Sequence, residues 1–343
     1  MLINKVQILF ILISRGVISI KKSSQIYVEK EGYVNMKKII IALFVIVAAA
    51  VAAYYAFPEK VAGFMIDRAR SAAGLSKKQV TIEDHNIVYL EGGKGPTILL
   101  LHGYTGEKDN WLGFAAYLTK DYHVVIPDIP GYGESTKLMD APYDLNNQII
   151  RLHKFARALN LEKFHIAGSS MGGLFAGTYA VRYPEQVLSV GLFNAAGVSS
   201  PQKSAVMKKI EAGVNPLVLQ DEKDFLRIYQ MLFVNPPPLP YPFKKVFMQA
   251  ALNNRGFYEK ALREIGPDFL SLERQLPRIK APVLIVWGDQ DKILDVSSVA
   301  VFEKGIKNHQ TVIMKDCGHV PMIERPEEAA RHYLDFIENL KKR

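Results

Sequence analysis

No stretch of this 343-residue chain narrows its possible folds more than Gly168-Ser169-Ser170-Met171-Gly172. It joins a short apolar run at 164–167 directly to a helical pattern at 172–183. A strand that passes into a helix with no loop between them must turn sharply, and a Cβ at either flanking position would strike the neighbouring strand and helix. Glycine stands at both positions, and the serine at the apex is held up at the helix N-terminus. This is the G-x-S-x-G elbow in the strand–turn–helix setting that the motif requires. The same residues also read G-x-x-x-x-G as far as Gly173, but a phosphate loop needs Lys next and finds Leu174, so a nucleotide-binding reading fails.

The elements around the elbow follow one alternation. Two runs at 80–83 and 87–91, separated by Asp84-His85-Asn86, read as a hairpin. Further short buried strands are expected at 97–101, 123–126, 164–167, 188–193, 283–287 and 311–314, with helical patterns between most of them. The last helix is opened by Pro326, carries Glu327 and Glu328 in its first turn, and buries a stripe of Ala330, Tyr333, Leu334, Ile337 and Leu340. A hairpin leading into repeated βα units predicts an α/β fold with a mostly parallel eight-stranded sheet flanked by helices. The alternation breaks between 193 and 283, where helical patterns, many aromatics and the stiff run Pro236-Pro237-Pro238-Leu239-Pro240 mark a helical cap insertion at 198–276. It divides the core into a first part, 79–197, and a second, 277–343, and is expected over the strand ends, where ligands bind in open sheets.

A serine hydroxyl becomes a nucleophile only when a base takes its proton, and that base needs a carboxylate to orient it. Of eight histidines, His319 follows the last expected strand, in Gly318-His319-Val320-Pro321. The preceding strand ends in Trp287-Gly288-Asp289-Gln290-Asp291, so Asp291 is read as the acid in preference to Asp289, with Asp295 read as a helix cap. Acyl transfer also needs donors aimed at the developing oxyanion. The Met171 amide, next after the nucleophile, and the Tyr104 amide, in the turn after the strand at 97–101, are expected to supply them. His102 then reads as a structural hydrogen-bonder and Cys317, the one cysteine, as a small buried thiol. This chemistry calls for no metal and no cofactor.

The N-terminal region carries a different message. Nineteen residues at 39–57 contain no charge, Gly or Pro, about 28 Å as a helix and enough to cross a bilayer. Lys37 and Lys38 precede the run while Glu59 and Lys60 cancel after it, which keeps the N-terminus cytoplasmic and sends the domain out. Residues 36–57 are therefore read as an uncleaved anchor; the alternative is a signal peptide cut near Ala48-Ala49-Ala50, leaving a secreted or periplasmic domain. Residues 1–35 form an extension ahead of Met36, which has the shape of an exported protein's start. Lys30-Glu31-Gly32 can be encoded with a ribosome-binding sequence just upstream, so Met36 is read as the initiator. Residues 58–78 read as an amphipathic linker helix, either along the membrane surface or packed on the domain. Of the formal charge of +9, residues 1–57 hold +5 and the remainder +4. Basicity is thus concentrated at the terminus, no nucleic-acid motif accompanies it, and nucleic acid is not an expected partner.

From about residue 79 to the end the chain resembles an α/β-hydrolase. Besides the elbow, the resemblance rests on Asp128-Ile129-Pro130-Gly131-Tyr132-Gly133-Glu134-Ser135, on Trp-Gly-x-x-Asp ending at Asp291, and on Gly318-His319 followed by Glu324-Arg325-Pro326. Within the family, the anchor, the stretch from His102 to Trp111 and Ser169-Ser170-Met171-Gly172-Gly173 are most similar to membrane-anchored monoacylglycerol lipases and related bacterial lipases. The resemblance implies a serine esterase acting on an acyl-ester or lipid substrate. Dehalogenases and epoxide hydrolases of this fold use Asp as nucleophile, and Ser170 counts against both. A C–C bond hydrolase of ring-cleavage products uses the same triad, but such enzymes are normally soluble; a non-catalytic ligand-binding protein on the same scaffold is the remaining alternative.

Overall fold

The computed structural model describes residues 30–342, so most of the extension read ahead of Met36 lies outside the described residues. Helix α1 (Lys30–Ala56) contains the 19-residue segment Lys38–Ala56, with a mean hydropathy of 2.6, long and apolar enough to cross a membrane. The helix stops because Pro58 disfavours helical geometry at the residue before it, and Phe57 takes φ −126°, ψ 54°. Pro58 itself opens α2 (Pro58–Ala72), where its missing N–H is no loss. The helix buries Ala62 and Arg70 and leaves Phe64 and Met65 exposed.

The structure corrects the extent of the linker read at 58–78. After a left-handed turn at Gly74 (φ +68°), strand β1 (Leu75–Ile82) begins inside that segment and pairs along its whole length with β2 (His85–Gly92). The apolar pattern missed this start because β1 is an edge strand whose middle residues, Ser76 to Gln79, are all exposed. Polar edge strands of this kind also resist pairing with other chains.

Strands β3 (Thr97–Leu101), β4 (His123–Pro127), β5 (Phe164–Ser169), β6 (Val187–Phe193), β7 (Val283–Gly288) and β8 (His309–Met314) complete one eight-stranded sheet in the order β1-β2-β4-β3-β5-β6-β7-β8. β1 and β2 run antiparallel to each other and β2 to β4; every other pairing is parallel. Strand periodicity divides the core in two. Leu99 and Leu101 of β3 and Val283, Ile285 and Trp287 of β7 pack on one face, while Ile98, Leu100, Leu284 and Val286 pack on the other. Both faces are covered, which is why these strands read as continuous apolar runs. The covering helices are α3 (Leu112–Leu118), α4 (Leu145–Ala158), α5 (Met171–Arg182), α10 (Ser298–Gly305), the short α11 (Pro321–Glu324) and α12 (Pro326–Lys341); between β6 and β7 lie α6 (Ala205–Glu211), α7 (Glu222–Leu232), α8 (Tyr241–Asn253) and α9 (Arg255–Ile265). In α12 the buried stripe is Ala329, Ala330, Tyr333, Phe336 and Ile337, so Phe336 takes a place that the pattern had given to Leu334 and Leu340.

Burial of one strand residue makes the fold acid-sensitive. His165 of β5 shares a hydrogen bond with Ser189 Oγ (2.7 Å), and burial, reinforced by Lys341, lowers its pKa from the ordinary 6.5 to about 4. Between those values the unfolded chain binds a proton that the folded chain refuses, so this residue's contribution to stability is lost as pH falls across that window. His165→Gln is expected to flatten the decline, which urea-unfolding midpoints measured on either side of the window would reveal.

Candidate active site

At the elbow, Ser170 sits at φ +55°, ψ −120°, a backbone conformation that costs a non-glycine residue about 1–3 kcal/mol and persists only where its surroundings enforce it. They do so here through main-chain bonds. Ser170 N donates to Phe193 O (3.0 Å), and Ser170 O accepts from Gly173 N (2.9 Å) and Ala196 N (2.9 Å). A Cβ on Gly168 would lie 2.0 Å from Gly172 O, and one on Gly172 would lie 2.4 Å from Leu101 O. The strand, the turn and the next strand meet backbone to backbone, which is the physical content of the two motif glycines.

Asp291 and His319 follow β7 and β8 respectively. These strands run parallel to β5 through β6, so Ser170, Asp291 and His319 all leave the sheet at the same edge. Asp291 and His319 are joined, with His319 Nδ1 lying 2.7 Å from Asp291 Oδ2, and both side chains are buried. The other carboxylate oxygen accepts from Ile293 N (2.7 Å) and Leu294 N (3.0 Å). Asp289 makes no hydrogen bond to His319, and among the described residues its carboxylate accepts only from Cys317 N, at 3.5 Å. No hydrogen bond joins the Ser170 hydroxyl to the imidazole, although such bonds are commonly long before substrate binds. Asp295 does not cap α10: its carboxylate accepts from Ser297 N (2.9 Å), and Ser297 is the residue at the N-cap.

Tyr104 lies in a tight turn closed by Gly106 N donating to Gly103 O (3.0 Å), with Thr105 left-handed at φ +57°. At the second position of such a turn the amide points away from the closing bond, and among the described residues Tyr104 N has no acceptor. Met171 N, at the first position of α5, is equally free by helix geometry. The turn starts against the serine, since a Cβ on Gly103 would lie 3.2 Å from Ser170 Cβ. His102 supports it from beneath, its Nδ1 against Gly103 O (2.8 Å) and its Nε2 accepting from Ile129 N (3.0 Å). Those partners require the neutral Nδ1–H tautomer, and burial lowers the pKa in the same sense. Cys317 is fully buried beside Glu324, and burial pushes its thiol up to about 12, which leaves it unreactive.

Three contributors were given no role by the sequence, although Glu324 stands in one of its motifs. Asn194, just after β6 with φ +43°, donates from Nδ2 to Asp291 Oδ2 (2.7 Å) and accepts at Oδ1 from Gly288 N (3.3 Å), so it holds the same carboxylate oxygen that faces His319. Glu324 accepts from Gly318 N (2.8 Å) with one oxygen and from Val234 N and Asn235 N with the other, pinning the histidine loop to the segment after α7. Tyr258 of α9 stacks on Tyr132 and accepts the Tyr104 hydroxyl at its carbonyl (3.0 Å). An asparagine at a strand end carries no pattern that announces such a role.

The profile of the α/β hydrolase fold matches residues 96–236 and 240–326, and the chain belongs to that family. It is 36% identical to Lipase 1 of Psychrobacter immobilis over 280 residues, covering 79% of this chain and 87% of the lipase. It is 32% identical to the human monoacylglycerol lipase ABHD6 over 287 residues, covering 78% and 84%. Among solved structures, a membrane phospholipase A described as a bacterial virulence factor superposes with a TM-score of 0.82 at 42% identity, covering 90% of this chain and all of that one. The chain stands among the ester hydrolases of its family.

Proposed function

We propose that the chain hydrolyses carboxylic esters of lipids, monoacylglycerols or short to medium acyl esters among them, through an acyl-enzyme on Ser170. The observation that carries this reading is the strained elbow at Ser170 set on the same sheet edge as the buried Asp291–His319 pair. Ser170 Oγ attacks the acyl carbon as its proton passes to His319 Nε2. Asp291 holds the ring in the tautomer that leaves Nε2 free to accept. The oxyanion is received by the Tyr104 and Met171 amides, each worth about 3–4 kcal/mol in the transition state. The ester C–O bond breaks, His319 returns the proton to the departing alkoxide, and water then repeats the sequence to release the acid and restore the serine.

The lipase and phospholipase relatives support a lipid substrate, and the apolar segment Lys38–Ala56 supports attachment to the membrane from which that substrate comes. The charges flanking this segment favour a single pass with the catalytic domain on the extracytoplasmic side. The purified full-length protein is expected to turn over nitrophenyl and glyceryl esters in a chain-length panel and to take one fluorophosphonate on the peptide containing Ser170. Ser170→Ala is expected to lose both properties. Turnover within tenfold of wild type in that variant would refute the assignment.

A further inference from the structure

We infer that α2 braces the turn carrying Tyr104, so that the segment between the membrane helix and the sheet is a working part of the catalytic unit; the inference rests on the site assignment above. Arg70, near the end of α2, is charged yet buried. It forks onto Asp109, Nε to Oδ1 at 2.8 Å and Nη2 to Oδ2 at 2.6 Å, and also reaches Asp67 (2.9 Å) and Glu134 (3.5 Å). Asp109 belongs to the 3-10 turn Lys108–Trp111, which starts two residues after the Gly106 that closes the Tyr104 turn. Within the same 3-10 turn Lys108 is wholly buried. Its N donates to Asp128 Oδ1 (2.7 Å), and its Nζ donates to Asp128 Oδ2 (2.9 Å) and Glu134 Oε1 (2.8 Å).

The segment after Tyr104 is therefore gripped from two sides, by Asp128 just beyond β4 and by Arg70 on α2. The side chains of Arg70 and Asp109 are 8% and 9% exposed, so solvent does little to screen the pair. A two-point guanidinium–carboxylate fork fixes orientation as well as distance, which a lysine cannot do. α2 also lies against α8, so one helix touches both the segment behind the oxyanion turn and one of the helices between β6 and β7. Arg70 makes no contact with the reacting atoms in this scheme and acts as a positioning residue.

The test uses four full-length proteins: wild type, Arg70→Met, Asp109→Leu and the double variant. Arg70→Met is expected to lower kcat about tenfold or more, with KM within about twofold, and to slow fluorophosphonate labelling in step, because an oxyanion donor displaced from its aim acts on the transition state alone. Asp109→Leu is expected to behave likewise. Each single variant also loses thermal stability by taking from a buried charge its two-point partner. The double variant removes both charges and is expected to recover that stability while kcat stays low. Recovery of kcat together with melting temperature in the double variant, or a wild-type kcat in Arg70→Met, overturns the brace and leaves a purely stabilising ion pair. Turnover that survives Ser170→Ala overturns the site assignment and the brace with it, an outcome read from a different protein.

Discussion

Replacing Asp291 by Asn is expected to lower kcat about ten-thousand-fold at neutral pH with little change in KM. Every partner of this carboxylate is a donor. Ile293 N and Leu294 N point at one oxygen, and Asn194 Nδ2 and His319 Nδ1 are held at the other. The two main-chain donors cannot turn away, so the new amide must set its oxygen toward them and its NH2 toward the histidine. The imidazole is then driven to accept at Nδ1 and to carry its proton on Nε2, where it can no longer take one from Ser170. Asn194 must reverse as well, giving up its bond from Gly288 N. Steady-state kinetics with a nitrophenyl ester, beside the rate of fluorophosphonate labelling, would measure the effect. A loss below about tenfold would mean that another group orients His319.

The second large effect belongs to a residue with no side chain. Gly168→Ala places a Cβ 2.0 Å from Gly172 O, 2.2 Å from Gly172 C and 2.7 Å from Gly173 N, all backbone atoms of the elbow. No rotamer change can relieve such a contact, so either β5 or the start of α5 must move. We expect destabilisation by at least about 3 kcal/mol and, in whatever fraction folds, loss of measurable turnover because Ser170 and Met171 ride on the displaced segment. Gly256→Ala in α9 supplies the contrast. Beyond its own helix backbone and chain neighbours no atom lies within 4 Å of the added methyl there, and the change should be neutral or stabilise by up to about 1 kcal/mol. Urea midpoints for the two variants would separate crowding at the elbow from the general effect of replacing glycine. Equal midpoints would remove the argument that close approach requires Gly168.

Part of this architecture follows from local pattern. The run at 283–287 is apolar at every position, and those at 97–101 and 164–167 are apolar but for Thr97 and His165, which identifies strands buried on both faces, and β3, β5 and β7 occupy them. β1 was harder to see. Its exposed middle residues obey no alternation, and its first half was absorbed into the preceding amphipathic segment. The catalytic candidates were legible because each follows closely on the end of a strand, Ser170 at the turn into a helix and Asp291 and His319 in loops, a place defined by chain order alone. Their supports were not. Asn194 lies 97 residues from Asp291, and Arg70 lies 39 from Asp109, with nothing in the intervening chain to connect them.

What the sequence by itself determined was therefore the kind of chain this is: strand and helix order, the glycine-flanked serine, a histidine and an aspartate after the last two strands, and an apolar segment of bilayer length. Those features depend on period, spacing and residue type, which are local properties. Only the tertiary structure joined Asp291 to His319, set Asn194 on the same carboxylate oxygen, and brought α2 to the segment behind the Tyr104 turn. Contacts between distant residues arise when the parallel strands align their ends and the helices pack upon them. Their distances depend on the register of the whole sheet, and no short window of sequence contains that information.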